Sequence, residues 1–533
     1  MGIVAEKAVE AKPSGTGGGT LGILLALAMF VLVVDTSIMN VSISAVARDL
    51  DTTVSGVQAA IALEALVSAA FILVNSKVGD LIGRKRAYVL GLLGYALGAL
   101  AMTLTQNLVS IMILWAIVGG LGASLLLPAM QSLIHGNFEG RTRTKVYALV
   151  GAAAAIAAAV GPLIGGVVTT YLSWRVGFLL EVVVIAVVLS GIKLVRDVPY
   201  TGGRRIDVVG AGLSVVGMGG VVLGILAWQV GAELVGALLA LGVVGLAVLA
   251  YWLVRRKRQD KPTLLDPDLL RSPHFRLGIS QQMLQQIALG GSMIVIPIFL
   301  QITLEYDALG AGLSIAPLSL SMFVVAILAG RRAGDRRPAV MVLWGFVLAS
   351  IGITLVIPVV PRAESGWPLT LPLLVAGTGF GLLVSQLNDY TLAPIQEVRV
   401  SEAAGVNSAA GSFGLSFGLA MAGGIMLAAL SVSFTAMAEG SPVLPPDDQQ
   451  RIAVALERDA QVVSDTQLQE VLAGQPQEVE NEILRINDDA RSLSLQVALL
   501  VPLVACLVGL FNAFRMVRLR DVAPPSSEGA FLG

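Results

Sequence analysis

The sequence is poor in charged residues, in cysteine and in histidine, and each shortage excludes a class of function. Charged residues make up 13% of the 533 residues, whereas soluble domains average about 25%, so the chain is not a soluble globular protein. The single cysteine, Cys506, excludes an intrachain disulfide and a thiolate metal site. The two histidines, His135 and His274, lie in polar connecting segments and cannot serve a proton relay at membrane depth.

The chain also lacks a large net charge and a nucleotide-binding motif, and both absences exclude classes of function. The formal net charge is −1, which gives no indication of a nucleic-acid partner. No G-x-x-x-x-G-K-[ST] motif occurs, so we predict no ATP site. We also expect no enzyme activity, no cofactor and no metal. Any work that the protein does must draw on an ion gradient or on the gradient of its own substrate.

Long apolar runs dominate what is present. Hydrophobic residues make up 56% of the chain, and its mean hydropathy is +0.82. A helix needs about 20 apolar residues to cross the hydrocarbon core of a bilayer. Fourteen runs reach this length, at 21–45, 57–78, 88–105, 108–134, 146–170, 175–194, 208–228, 232–254, 279–303, 310–330, 339–360, 368–392, 405–431 and 493–515. We therefore predict an all-α integral membrane protein with fourteen transmembrane helices.

Lysine and arginine cluster in alternate connections between these runs, whereas the other connections are poor in both. Because basic residues collect on the cytoplasmic side, we predict a multi-pass protein of the cytoplasmic membrane with both termini in the cytoplasm. The first run carries Asp35 and no convincing cleavage site, so we interpret it as a retained span. The clusters are Lys77 with Arg84, Lys85 and Arg86; Arg141, Arg143 and Lys145; Arg255, Arg256, Lys257, Arg258 and Lys261; and Arg331, Arg332, Arg336 and Arg337.

A weak internal repeat indicates two halves. Gly79-Asp80 is followed by basic residues after the second run, and Gly334-Asp335 is followed by basic residues after the tenth. Both lie in the loop between the second and third helices of a six-helix unit. We divide the chain into a cytoplasmic tail (1–20), a six-helix bundle (21–194), two inserted helices with a linker (195–278), a second six-helix bundle (279–515) and a cytoplasmic tail (516–533).

The long non-cytoplasmic segment 432–492 is acidic. Within it, RIAVALERDAQVV and VENEILRI have helical apolar spacing and are bounded by prolines. This pattern predicts two short amphipathic helices over the outer face. A solvated acidic linker fits the sequence equally well.

Two acidic residues within spans are candidates for chemistry. Asp35 lies in the middle of the first run, where a carboxylate costs about 2.5–3.5 kcal/mol on insertion scales, so it should face a cavity or a partner. Glu64 lies at a similar depth in the second run, and a neighbouring pair could load and release a proton. Alternatively, Asp35 is a structural hydrogen-bond acceptor, and Glu64 reaches the outer interface or packs on the flank of the bundle.

Four stretches of the chain resemble the major facilitator superfamily and, within it, the fourteen-span drug:proton antiporters of the multidrug or quaternary-ammonium exporter type. They occur in the family's order, and the resemblance as a whole covers nearly the whole chain. They are VVDTSIMNVSISAVARDL (33–50), SKVGDLIGRKR (76–86), GPLIGG (161–166) and IPIFLQITLEYDALGAGLSIAP (296–317). The resemblance implies two six-helix bundles with two inserted helices, and partners limited to a small-molecule substrate, protons and membrane lipids. We expect a monomer.

Departures from the family pattern affect the coupling chemistry. The fourth span normally carries an arginine before its glycine-rich stretch, and this chain has Trp115 and Ala116 there. Proton loading should then depend on carboxylates alone. The family usually has an asparagine after Trp174-Arg175, whereas this chain has Glu181. We expect Glu181 at the surface, paired with Arg175.

The resemblance also assigns roles to groups of residues. Gly161, Pro162, Gly165 and Gly166 match the antiporter motif, in which glycine permits close helix packing and proline kinks the helix. Asp80, Gly83, Arg84 and Lys85 match a cytoplasmic latch that holds the outward-open state, although the basic residues could merely anchor topology. Asp389 is a further candidate for coupling or substrate binding. The candidates for cavity lining are Trp115, Gln282, Gln286, Gln386 and Asn388.

These observations together predict a secondary transporter that exports lipophilic, in some cases cationic, small molecules or drugs by proton antiport with alternating access. Two alternatives stay open. One is export of an endogenous metabolite or lipid, and the other is a receptor or scaffold that has lost transport.

Overall fold

The computed structural model describes residues 17–138, 140–197, 207–229, 234–331, 337–395, 400–444, 465–472 and 476–519. Within these ranges, fourteen helices are long and apolar enough to cross a membrane. The prediction of an all-α membrane protein with fourteen spans is confirmed.

Six of these helices belong to the amino-terminal half. The fourth follows a short turn of helix, Leu108–Ser110, and a π-helical segment, Ile111–Gly119. The helices are α1 (Gly17–Val41), α2 (Val54–Ile82), α3 (Arg84–Leu104), α4 (Gly120–Asn137), α5 (Gly140–Tyr171) and α6 (Trp174–Ser190).

The other eight helices comprise an inserted pair and the carboxyl-terminal half. The ninth continues into a second π-helical segment, Phe299–Thr303. The helices are α7 (Val208–Gln229), α8 (Val235–Arg258), α9 (Pro273–Ile298), α10 (Ala308–Arg331), α11 (Pro338–Val359), α12 (Thr370–Leu392), α13 (Val400–Glu439) and α14 (Leu500–Arg518). Short helices Ile43–Asp49, Asp465–Leu472, Ile192–Leu194, Pro267–Arg271 and Trp367–Leu369 connect them.

The helices alternate in direction, which gives the molecule two ends. We call the end that carries Gly83–Arg86 and Arg255–Arg258 the basic end, and the end that carries residues 42–53 and 304–307 the opposite end. Polar side chains start several helices: Thr53 Oγ1 accepts from Gly56 N at 2.9 Å, and Ser173 Oγ accepts from Arg175 N at 3.3 Å. Such caps satisfy amide groups that have no partner within the helix.

Packing separates two bundles that meet along two seams. In the first half α1 packs against α5 and α6, and α3 packs against α4 and α6. In the second half α9 packs against α12, α13 and α14. The halves contact each other through α5 with α10 and through α2 with α13, and the inserted α7 packs beside the second of these seams.

In the segment 432–492, the amphipathic helix predicted over VENEILRI is present but is longer than predicted. Residues up to Glu439 extend α13, and RIAVALERDAQVV lies outside the described residues. VENEILRI belongs to a 22-residue amphipathic helix, Gln477–Ala498, which buries Ile483, Ile486 and Leu495 and packs against α13. The apolar positions of this helix recur at helical spacing, so burial against α13 stabilises it, and it is not a solvated linker.

Candidate functional site

Asp35 lies at the centre of a polar cluster within the first bundle. It stands six residues before the end of α1, about 9 Å along the axis at 1.5 Å per residue. Asp35 is only 1% exposed. A carboxylate at this depth requires hydrogen-bond donors or a cation, since an unsatisfied charge is costly in an apolar interior.

Two neutral donors serve Asp35. The Tyr95 hydroxyl of α3 donates to Asp35 Oδ2. Trp115 Nε1 donates to Oδ2 at 3.1 Å and to Oδ1 at 3.3 Å. Trp115 is 2% exposed, and its ring meets the Phe178 ring edge-on with centroids 6.2 Å apart. Trp115 therefore belongs to the buried cluster in this conformation and does not line an open cavity.

A π-helical segment positions Trp115. The segment Ile111–Gly119 departs from α-helical hydrogen bonding over nine residues, and such segments are rare and frequently lie at functional sites. The indole takes the place in the sequence where the resemblance expects an arginine, so Asp35 receives an N–H bond without a positive charge. Tyr95 was not among the sequence-based candidates; only its helical spacing from Tyr88 and Leu92 on the buried face of α3 signalled an inward position.

Glu64 lies on α2, half-buried, ten residues and about 15 Å from the start of the helix at the opposite end. The negative charge of Asp35 acts on Glu64, and Glu64 in turn acts on the Tyr95 hydroxyl. Its backbone carbonyl faces Gly120, where an added Cβ would lie 2.9 Å from the oxygen. The structure thus brings Glu64 within electrostatic range of Asp35, whereas its role in proton loading stays a prediction.

The expectation for Glu181 is wrong. Glu181 is 2% exposed, and neither of its carboxylate oxygens has a hydrogen-bond partner among the described residues. Arg175 binds Asp49 and donates to the Thr105 carbonyl at 2.8 Å. Position along a helix predicts depth but not the direction in which a side chain points, and here it points towards Asp35 and Tyr95.

The antiporter motif packs α5 against two partners. An added Cβ at Gly161 would lie 2.5 Å from Ser37 Cβ, and one at Gly165 would lie 2.9 Å from Ile38 Cα, so both glycines admit α1. An added Cβ at Gly166 would lie 2.7 Å from the Ala308 carbonyl oxygen of the other half. The Pro162 carbonyl oxygen lies even closer, 2.4 Å, to the position of a Cβ at Gly312 of α10. The motif therefore supports both the Asp35 helix and the seam between the halves.

The second π-helical segment carries a residue that the sequence reasoning missed. Gln301 Nε2 donates to the Asn40 carbonyl at 3.1 Å, and Gln301 Oε1 accepts from Ser44 N at 3.1 Å. Leu309 N donates to Thr170 Oγ1 at 3.1 Å on the neighbouring seam. Gln301 lies within the stretch 296–317 that carries the family resemblance, which was the available signal.

The polar candidates of the second half lie in three environments. Gln282 and Gln286 are half-buried on α9 beside Gly411 of α13. Gln386 is buried and Asn388 is exposed on α12, where Asn388 Oδ1 accepts from Asn407 Nδ2 at 2.8 Å. The Asp389 side chain lies outside the described part of the structure.

Comparison with known proteins agrees with this architecture. The sequence model of the Major Facilitator Superfamily matches residues 25–207 and 202–419. The chain belongs to the major facilitator superfamily. It is accordingly a transporter and not an enzyme, and its fourteen helices fit the fourteen-span drug exporters of the superfamily.

Individual relatives and a solved structure support the assignment. The chain is 26% identical to the probable actinorhodin transporter of Streptomyces coelicolor over 449 residues, which are 80% of this chain and 76% of that protein. It is 27% identical to the multidrug resistance protein Stp of Mycobacterium tuberculosis over 440 residues, 81% and 80% of the two chains. A bacterial homologue of the human lysosomal transporter Spinster, solved in an inward-facing and unoccupied conformation, superposes with a TM-score of 0.60 at 12% identity. The superposition covers 96% of this chain and all of that one, and it shows the shared fold.

The loop that resembles the superfamily latch forms a tight turn at the basic end. Gly83 has φ 99°, a conformation that favours glycine. Arg84 Nη1 donates to the Ser76 carbonyl at 3.3 Å, and Lys85 Nζ donates to the Val195 carbonyl at 2.8 Å. These contacts join the loop to the first bundle and to the start of the linker that follows it. The Asp80 side chain lies outside the described part, so the pairing predicted for it stays a prediction.

Proposed function

We propose that the protein exports lipophilic small molecules, lipophilic cations among them, in exchange for protons by alternating access. The relatives are named for multidrug and antibiotic resistance or transport, which supports a drug-like substrate class. The clusters of lysine and arginine at the basic end support a cytoplasmic position for that end and for both termini.

The observation that carries the proposal is the buried acidic cluster of the first half. Asp35 accepts hydrogen bonds from Tyr95 and Trp115 only, and no basic side chain pairs with Asp35, Glu64 or Glu181 among the described residues. A buried carboxylate that is not committed to an ion pair can bind a proton in one state and a cationic substrate in another. The missing fourth-span arginine favours this exchange, because it removes a permanent positive partner.

Contacts between the halves support alternating access. Hydrogen bonds between the halves include those of Gln301, of Leu309 with Thr170, and of Ser416 with the Ala62 carbonyl at 2.8 Å. These bonds lie in the parts of the helices nearer the opposite end. They must break when the transporter opens at that end to release substrate outside, with its other end closing in turn.

Exchange in liposomes tests the proposal. Purified protein is reconstituted into liposomes that contain ethidium, and efflux is followed by fluorescence after an inward proton gradient is imposed. Wild type should export ethidium, and the imposed gradient should accelerate export. Asp35→Asn keeps the shape and the hydrogen bonding but deletes the titratable charge. The variant should still fold, and ethidium efflux should fall to the rate measured in liposomes that contain no protein.

The matched control is Asp307→Asn, the same change at an exposed residue that caps α10 through Gly310 N at 2.7 Å. It should behave as wild type, since asparagine caps helices as well as aspartate does. Undiminished proton-driven export by Asp35→Asn would overturn the assignment of Asp35. Absence of any counterflow by wild type with ethidium, or with the dyes, antibiotics and lipids that stabilise it in a thermal-shift screen, would favour a scaffold over a transporter.

A further inference from the structure

Glu181 is a buried carboxyl group for which the described part of the chain supplies neither a cation nor a hydrogen-bond donor. It lies on the face of α6 that packs against α1 and α3, between Phe178 and Ile185 in the series of buried residues. Its 2% exposure excludes water in this conformation, and both oxygens lack a partner among the described residues. An ionised carboxylate in these surroundings would carry the full cost of desolvation, whereas the neutral acid carries far less.

The groups that face Glu181 come from three helices. Asp35 of α1 and Tyr95 of α3 interact with it electrostatically, and Glu64 of α2 acts on the same tyrosine. The Tyr95 hydroxyl already donates to Asp35, so it is not available to Glu181. Helix α5 also packs against α6, and it has no titratable residue between Leu149 and Thr170. Every titratable neighbour of Glu181 is therefore acidic or already engaged.

We propose that Glu181 binds a second proton of the exchange cycle, beside the proton carried by Asp35. This role of Glu181 rests on the proton exchange proposed above. When the acid gives up its proton, the proton passes to water in the open state and a carboxylate remains; the reverse step reloads it from the other side of the membrane. Phe178 lies three residues nearer the opposite end on α6, and its ring meets the Trp115 ring edge-on. Because Glu181 is buried in this conformation, the site exchanges protons only after the helices move.

Infrared spectroscopy tests proton occupancy without any substrate. Wild-type protein in lipid is titrated with pH while the carbonyl stretch of protonated carboxylic acids is followed. Glu181→Gln should remove one such band, and that band should titrate in wild type. Glu364→Gln, the same change at an exposed residue of a loop, should leave the spectrum of buried acids unchanged. Survival of the whole band in Glu181→Gln, or a band that never titrates, would overturn the proposal.

Proton release upon binding of ethidium by the purified protein gives the second measurement. Wild type should release one proton more per ethidium than Glu181→Gln. Glu181→Asp keeps the acid, so it should release as many protons as wild type. Equal release from wild type and Glu181→Gln would show that Glu181 is a permanently neutral packing residue. Glu64→Gln is measured in parallel, and a loss in that variant alone would transfer the second proton to Glu64 and overturn the proposal.

The two measurements separate failure of this proposal from failure of the proposed function. If wild type responds to a sodium gradient and releases no proton, proton exchange is wrong, yet the infrared titration still decides whether Glu181 holds a proton. If wild type exchanges protons but Glu181→Gln is unchanged in both measurements, only the inference about Glu181 fails.

Discussion

Gln301 and Asn40 join the two halves of the transporter at the end opposite the basic loops. The Gln301 amide nitrogen donates to the Asn40 carbonyl oxygen at 3.1 Å, while its amide oxygen accepts from the Ser44 backbone at 3.1 Å. Gln301 is 6% exposed, and it lies in a π-helical segment. One side chain thus satisfies two backbone groups of the other half, both near the end of α1.

Replacement of Gln301 should favour the state that is open at this end. Two neutral hydrogen bonds at about 1 kcal/mol each correspond to a shift of roughly 30-fold in the equilibrium. Spin labels at Leu172 and Trp367, which are 69% and 82% exposed at this end, would report the distance between the halves. Cys506 is fully buried and should not be labelled. We expect Gln301→Ala to increase the population with long distances.

The control for Gln301 is Gln496→Ala. Gln496 Nε2 donates to the Ile357 carbonyl at 2.9 Å, and both residues belong to the second half. The distances between labels should not change in this variant. If Gln301→Ala gave the same distance distribution as wild type, the bond across the halves would not contribute to closure.

Glycine substitutions in α5 should separate packing within a bundle from closure between the halves. Gly161→Ala places a Cβ 2.5 Å from Ser37 Cβ, and overpacking of this kind costs about 1–3 kcal/mol, so the melting temperature should fall. Gly166→Ala places a Cβ 2.7 Å from the Ala308 carbonyl oxygen of the other half, so it should mainly lengthen the distance between the labels at positions 172 and 367.

Gly151→Ala is the control on the same helix, because no atom lies within 4 Å of the added Cβ. It should leave the melting temperature unchanged or raise it, since alanine favours a helix by about 1 kcal/mol over glycine. A fall of the melting temperature in Gly151→Ala as large as that in Gly161→Ala would mean that the losses do not come from contacts with the neighbours of these glycines.

Trp115→Phe should reduce exchange while preserving the aromatic packing on Phe178. The change removes the N–H that donates to Asp35 at 3.1 Å. A hydrogen bond to a charged group contributes about 1.5–3 kcal/mol, so we expect exchange to slow by about ten- to hundredfold in the ethidium assay. Wild-type rates in Trp115→Phe would show that Tyr95 alone suffices for Asp35.

Trp174→Phe controls for the loss of a buried indole N–H. Trp174 Nε1 donates to Asp49 Oδ2 at 3.2 Å, and its ring also meets Phe178 edge-on, with centroids 6.0 Å apart. Asp49 keeps its ion pair with Arg175 in this variant. We therefore expect exchange to fall by less than in Trp115→Phe.

The number and position of the membrane-spanning helices could be predicted because they depend on a local property. A run of about 20 apolar residues is long enough to span the hydrocarbon core wherever it occurs, and the fourteen predicted runs correspond to fourteen helices. The amphipathic helix was harder to predict, because its boundary at Leu499 lies inside an apolar run, and burial against α13 decides where the helix begins and ends.

The sequence by itself determined the membrane environment, the number of spans and the depth of Asp35, Glu64 and Glu181 along their helices. Only the tertiary structure decided which of these side chains face one another, and it moved Glu181 from an expected surface pair with Arg175 to the buried cluster with Asp35. The physical reason lies in the uniform apolarity of the helices. A helix that is apolar on every face has no amphipathic pattern to orient it, so its rotation is set by close contacts with distant parts of the chain, such as Gly165 against Ile38 and Gly177 against Ile38.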